Sequence, residues 1–280
     1  MTDSASLQTL VADISRARVR ARPLAWPANV PPDLPAGYAA ALAVRAARIA
    51  AGDHPAGYKV GFTNRTLWPR YDVYAPIWGT VWQNTLSRVD AAGPSAGVLS
   101  LAGLCEPRIE PEVVFGLRAP PVPGCTLDQL VDAIAWVAHG FEIVHTHFPG
   151  WKFSAAQAVA DEGLHGRLLV GRPVDVPPGT PAHVLARALS GIHLKLYGNS
   201  VLKDEGRGVN VLDGPLQALL HFVNEIRAIP AAPSLQAGDV VTTGTLTDAW
   251  PVQAGQTWRS TLAADGPLAD QLEGLSVYFE

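Results

Sequence analysis

Cysteine, methionine and charge are all scarce in this chain, and each shortage removes a class of protein. Its 280 residues include 2 Cys and 1 Met, and only 16% of them are charged. Cys105 and Cys125 fit neither a metal-finger nor a C-x-x-C spacing, which argues for a reduced compartment and against a disulfide scaffold. The net charge of −4 comes without any basic block that could track a phosphate backbone, so nucleic acid is not an expected partner. No apolar run reaches the ~18 residues of a membrane span, and "MTDSASLQTLVADISRARVR" lacks the basic-then-apolar layout of a signal peptide. The expectation is a soluble, cytoplasmic protein with no membrane partner. A repeat of fixed period and a low-complexity tail are missing too.

What is present is a chain able to bury a large core, since 48% of its residues are hydrophobic. Leu7, Leu10, Val11 and Ile14 follow helical spacing, and "GYAAALAVRAARIAAG" predicts an alanine-rich helix closed by Gly52. A proline-rich connector, "RPLAWPANVPPDLP", separates them. Near residue 55 the pattern changes to short β-type runs bounded by Gly and Pro, among them "YKVGFT", "IEPEVVFGL", "FEIVHTHF", "GRLLVG", "HLKLYGN", "SVLKDEG", "DVVTTGT" and "GLSVYFE". Two helices are predicted within this body. "TLDQLVDAIAWVAHG" has Thr126 as its N-cap. "DGPLQALLHFVNEIR" has Asp213 as its N-cap and Leu216, Leu219, Leu220 and Val223 on one face. "LYGNS" suits a hairpin turn.

Three glutamates sit oddly in this pattern. In "EPRIEPEVVFGL", Glu110 and Glu112 are two apart on an extended run, so both project from one face. Pro111 between them has no N–H, which predicts an edge strand or a bulge. Glu142 is an isolated acid in the apolar run "GFEIVHTHF". His145 and His147 alternate to the face opposite it, which makes a zinc site combining them with Glu142 awkward. Two readings stay open. The acids either line a solvated face and pair with Arg108 or Lys59, or they surround a hard cation such as Mg²⁺ or Mn²⁺, which relieves the repulsion of buried like charges.

Six segments in order, "GYKVGFTN", "APIWGTVWQN", "RIEPEVVFGL", "FEIVHTHFPGWKFSAAQAVADEGLHGRLLVG", "VLDGPLQALLHFVNEI" and "LQAGDVVTTGTLT", resemble the fumarylacetoacetate hydrolase superfamily. Within it they are most similar to the 2-keto-4-pentenoate hydratase and 4-oxalocrotonate decarboxylase branch. The resemblance covers residues 57 to 280. It implies an α+β fold: a mixed, mostly antiparallel β-roll with packed helices as the catalytic domain (57–280), after a small N-terminal helical region (1–56). It also implies a homo-oligomer and a bound Mg²⁺ or Mn²⁺ held by Glu110, Glu112 and Glu142. Lys59 matches a lysine of the substrate pocket, and Thr245 a position close to the substrate carboxylate. The helix start at Asp213 to Leu216 is a further candidate for that pocket.

Departures from the family pattern add candidates. Asn84 stands where an acid is common in the hydratases. "ADEG" replaces "ADN", so Asp161 and Glu162 become candidate catalytic acids, the alternative being a solvated loop charge. "HTHFPGW" replaces a segment that often carries an arginine, which makes His145 and His147 candidates for binding the substrate tail, against the ordinary role of buried histidines in a core. Arg65 and Arg70 could hold a distal carboxylate, and Trp68, Trp78, Trp82 and Trp151 could wall a pocket or simply pack. The implied chemistry is addition of water to a small 2-hydroxydienoate or 2-keto-enoate from aromatic catabolism, with Lys59 shuttling a proton. Decarboxylation of a 2-oxo-3-enedioate and C–C hydrolysis are the alternatives. "GFTNRTLWPRYD" contains no histidine, which argues against the hydrolase.

Overall fold

The alternating runs after residue 55 close into two sheets. The computed structural model describes residues 4–24, 31–90, 92–264, 266–269 and 271–280, so residues 25–30 of the proline-rich connector lie outside the described set. Helices α1 (Ser4–Arg20) and α2 (Leu34–Ala50) come first, followed by β1 (Pro55–Gly61), a one-turn α3 (Trp68–Tyr71), β2 (Ile77–Trp82), β3 (Leu86–Arg88) and β4 (Ala96–Leu99). The middle of the chain forms β5 (Arg108–Leu117), α4 (Leu127–Asp132), β6 (Ile134–Val144), α5 (Ala155–Ala160), β7 (His165–Val170), β8 (Val174–Asp175) and α6 (Ala182–Ser190). The remainder forms β9 (His193–Gly198), β10 (Val201–Arg207), α7 (Pro215–Ala228), β11 (Val240–Thr245), β12 (Trp250–Pro251), β13 (Thr257–Ala263) and β14 (Ser276–Phe279).

The larger sheet has the order β2-β1-β11-β5-β6-β7-β3, with β12 added to β5 and β8 to β6. The smaller has the order β10-β9-β13-β14-β4. Three pairs are parallel, β1 with β11, β3 with β7 and β4 with β14, and the other pairs are antiparallel. This is the mixed α+β architecture expected.

The N-terminal helices lie directly on the body. Asp33 accepts the Ala36 N–H at 2.9 Å and so caps α2. Gly37 lets α2 approach α5 closely, because a Cβ there would stand 2.5 Å from the Ala156 carbonyl oxygen. Leu10, Ile14 and Val44 share a core cluster with Phe148 and Ala160 of the body.

Three local expectations are corrected. The segment 126–140 is a helix only through Asp132, after which Ile134–Val144 is a strand. Thr126 does cap the short helix, accepting the Gln129 N–H at 3.3 Å. Its continuation lies between β5 and β7, buried over most of its length on both faces, so the polar alternation that marks a half-exposed strand is missing. Asp213 does not cap α7. The N-cap is Gly214, and Asp213 pairs instead with Arg65. Pro111 lies on an interior strand, not an edge, but close to a break in the β5–β11 ladder, which falls between Thr242, opposite Val114, and Thr245, opposite Glu112. The bulge is therefore in the facing strand. The Pro111 carbonyl resumes contact just beyond it, accepting Leu246 N–H at 2.9 Å. The β9–β10 hairpin turns through Asn199 and Ser200, whose φ values of 47° and 68° are left-handed.

Candidate active site

Strand register assembles the acids. Glu110 of β5 is paired directly across from Glu142 of β6, and Glu112 is paired with Gly140 on one side and Thr245 on the other. Like charges directly opposite on a sheet repel, and burial amplifies the cost. The three carboxylates each offer an oxygen within 4.8 Å of the others. Glu112 and Glu142 are fully buried, whereas Glu110 is half-buried on the wall of a cavity of about 320 Å³.

One cation answers these three acids from within the sheet. The Lys59 ammonium lies 3.0 Å from Glu142 Oε2 and is itself buried. Burial alone would lower its pKa, but Glu142, Glu110 and Glu112 outweigh that and hold it above the usual lysine value. Glu142 is held below its ordinary value against the effect of burial, by Lys59 and by the hydrogen bond from His165. Burial pushes Glu110 up to about 7 despite Lys59, and pushes Glu112 well above the carboxylate range. A single ammonium is therefore insufficient to offset three carboxylates at this depth of burial.

Glu112 carries the clearest sign of a missing partner. Its Oε2 accepts the Gly244 N–H at 2.7 Å, while its Oε1 is buried without a hydrogen bond from any of the described residues. Gly244 can present that N–H because its φ is +93°, at the bulge of β11. A buried, unpaired carboxylate oxygen beside two further carboxylates is an all-oxygen donor set, which fits a hard divalent cation such as Mg²⁺ or Mn²⁺.

The residues predicted from sequence are only partly brought together. Glu110 and Thr245 line the cavity, and Lys59, Glu112 and Glu142 lie behind its wall. Arg65 is half-exposed and paired with Asp213 at 2.7 Å, while Arg70 and Arg108 are on the wall. Of the four tryptophans, Trp151 lines the cavity. Trp78 and Trp82 are core residues, and the Trp68 indole donates to the Phe62 carbonyl. Asn84 donates to Asp53 at 2.8 Å. The start of α7 touches the cavity only indirectly, through Leu212 N–H donating to the carbonyl of Thr63, a wall residue.

Asp161 and Glu162 are buried rather than solvated. Asp161 Oδ2 accepts the His147 backbone N–H at 2.8 Å and its Oδ1 accepts the Nδ1–H of the same residue at 2.6 Å. Glu162 is held by Arg18 at 2.5 Å, Arg48 at 3.1 Å and the Trp82 indole at 2.9 Å. His145 and His147 are buried beside Cys105, apart from the residues that line the cavity.

Sequence reasoning missed His165. Its Nδ1–H donates to Glu142 Oε1 at 2.8 Å, and its Nε2 is bonded to the Thr85 hydroxyl, also at 2.8 Å. Burial, opposed by Glu142, keeps this ring below the usual histidine pKa and hence neutral. The available cue was a polar residue opening the apolar run "HGRLLVG", the same oddity that picked out Glu142. The aromatic wall was missed as well: Tyr71 stacks on Phe62 at 4.6 Å and on Phe153 at 5.9 Å, and Arg108 lies over Trp151 at 4.1 Å.

No family model matches the chain. It is 27% identical over 225 residues to a 2-hydroxyhexa-2,4-dienoate hydratase of Comamonas testosteroni, covering 80% of each chain. It is also 27% identical over 214 residues to a 4-oxalocrotonate decarboxylase of Pseudomonas sp. (strain CF600), covering 76% of this chain and 75% of the other. Among solved structures it superposes on the 4-oxalocrotonate decarboxylase of Pseudomonas putida G7 complexed with magnesium and adipate. That match has a TM-score of 0.84 and 23% identity, over 100% of this chain and 99% of that one. The chain is thus similar in sequence to a 2-hydroxydienoate hydratase and to 4-oxalocrotonate decarboxylases, and it shares the fold of one of the latter. Within this shared fold, the β5–β6 pairing of Glu110 with Glu142 is the part of the sheet that carries the candidate chemistry.

Proposed function

We propose that the protein is a metal-dependent hydro-lyase that adds water to a small 2-hydroxydienoate or 2-keto-enoate. The observation that carries this is the convergence of Glu110, on the wall of a cavity sized for a small acid, with the buried Glu112, Glu142 and Lys59. The relationship to hydratases supports the same reading. Glu110, Glu112 and Glu142 would hold Mg²⁺ or Mn²⁺. When bound, that ion supplies positive charge that stabilises the negative charge developing on the 2-oxygen of the substrate.

This chain's own residues divide the remaining work. Lys59 carries the proton: in 2-hydroxypenta-2,4-dienoate, protonation at C5 with loss of the enol proton gives the enone, and water then adds at C4 to give 4-hydroxy-2-oxopentanoate. His165 fixes Glu142 by its Nδ1–H bond and so sets the distance from Glu142 to Lys59. Thr245, on the cavity wall, accepts Thr247 N–H at 3.2 Å and retains a hydroxyl proton to give to the substrate carboxylate. Tyr71, Phe153 and Trp151 exclude water from the dienoate chain.

A second reading is carried by Arg70 and Arg108, which place two guanidinium groups on the wall of the same cavity. They would suit the distal carboxylate of a 2-oxo-3-enedioate, with loss of CO₂ in place of hydration. A panel of dienoates and enedioates separates the two. Loss of ultraviolet absorbance with no CO₂ supports the hydratase, CO₂ release supports the decarboxylase, and turnover of neither class overturns both.

A further inference from the structure

The two histidines and Cys105, which the hydratase reading leaves unused, form a group of their own. Cys105 precedes β5, and His145 and His147 follow the last residue of β6, so the register of these two strands brings the three side chains to one place. Each offers a ligand atom within 4.8 Å of the others, and all three residues are buried. The two rings are 4.8 Å apart between centroids and nearly perpendicular, at 76°.

The group is held in position by its surroundings. The Thr146 N–H donates to the Cys105 carbonyl at 3.2 Å and ties the cysteine to the histidine segment, while Cys105 N–H donates to His145 Nδ1 at 3.3 Å, a long bond that a metal bound by His145 would displace. His147 is oriented by Asp161, which takes its Nδ1–H at 2.6 Å. The opposite ring nitrogen, Nε2, is buried with no hydrogen-bond partner among the described residues, on a fully buried side chain. A carboxylate on one nitrogen and an unpartnered lone pair on the other is the arrangement in which histidine ligates a metal, the carboxylate setting the tautomer and raising the basicity of the free nitrogen.

From this geometry the structure assigns a second metal site, in which Cys105, His145 and His147 bind Zn²⁺ and Asp161 orients His147. The site is separate in chemistry from the carboxylate cluster: one sulfur and two nitrogens select a borderline-soft ion, while three carboxylates select a hard one. With Zn–N of about 2.1 Å and Zn–S of about 2.3 Å, tetrahedral binding would draw the ligand atoms, which lie within 4.8 Å of one another, to separations of roughly 3.4–3.6 Å. The Cys105 thiolate and the Asp161 carboxylate together balance the charge of the ion. Bound Zn²⁺ would tie the segment before β5 to the segment after β6, and so brace the pair of strands that carries Glu110 and Glu142.

Cobalt substitution tests this in the full-length chain. Co²⁺ added to metal-free protein should bind one equivalent with a near-ultraviolet thiolate-to-cobalt band. Excess Mg²⁺ should leave that band in place, and Zn²⁺ should displace it. The band should persist in Glu112→Gln and in Cys125→Ser and disappear in Cys105→Ser. Asp161→Asn should weaken Zn²⁺ binding by about 10- to 100-fold, measured against a chromophoric chelator. Absence of the band in the folded wild-type protein overturns the site, as does a band that Cys105→Ser leaves unchanged. The wild-type spectrum is decisive even if a variant fails to fold.

Discussion

Glu112 and Lys59 should fail in different ways when replaced. Glu112→Gln keeps the shape of the side chain and removes one charge from the acid cluster, so divalent-cation affinity should fall and added Mg²⁺ should restore part of the rate. Lys59→Met should keep the affinity for the ion and lower kcat by ~10²- to 10⁴-fold, the usual size of a lost acid-base group. Near-normal turnover by Lys59→Met would remove it as the proton carrier. A third residue sets a pH dependence that the metal does not. His139 is buried, with Nδ1–H donating to the Glu112 carbonyl at 2.9 Å and Nε2 bonded to the Ser260 hydroxyl at 2.7 Å. Burial lowers its pKa from 6.5 to about 4. Below 6.5 the unfolded chain takes up a proton that the folded one refuses. The contribution of this residue is therefore complete above 6.5 and is lost as pH falls toward 4, a swing of roughly 3 kcal/mol. Melting temperatures from pH 7.5 to 4.5 should fall less steeply in His139→Gln than in the wild type, and equal slopes would show that His139 does not control the effect.

The bulge of β11 ties sequence to site most tightly. Gly244 combines a φ of +93° with a contact in which an added Cβ would stand 1.8 Å from Thr63 Oγ1. Gly244→Ala should cost at least about 2 kcal/mol of stability and weaken divalent-cation binding by shifting the backbone N–H that holds Glu112, both measurable by thermal melts with and without Mg²⁺. The sequence made much of this site readable. Alternation put Glu110 and Glu112 on one face, and Glu142 stood out as an acid in an apolar strand. What it hid has a common cause. β6 is buried over most of its length, so its period disappears into a continuous apolar run, and the true extent of both α4 and β6 was lost with it. His165 and the Gly244 N–H belong to contacts between strands distant in the chain, which periodicity along one segment cannot report. The burial of Asp161 and Glu162 was likewise invisible, because their partners, His147 for the one and Arg18, Arg48 and Trp82 for the other, come from other elements.

The whole molecule is expected to self-associate. β10 and β4 end the smaller sheet, and Val98, Val201 and Leu202 are exposed on them, an arrangement that a second copy would cover. Sedimentation at micromolar concentration should give at least twice 29.6 kDa, and a monomer only would count against this. The direct pairing of Glu110 with Glu142 also bears on the order in which the protein assembles. β5 and β6 are neighbours in the chain, so their acids can meet early in folding, before the rest of the sheet exists. The N–H that steadies Glu112 comes from β11, 132 residues further on, and Lys59 arrives with β1, which is joined to β11 in parallel. Such long-range pairings close slowly. On dilution from denaturant, strand signal should therefore recover before catalytic turnover, and Mg²⁺ should accelerate the earlier phase by relieving repulsion across the young hairpin. Simultaneous recovery with no effect of Mg²⁺ on either rate would show that the acids meet only in the finished sheet. In a cell, the part of the chain that most needs a cation would then be able to seek one while the ribosome is still making its last strands.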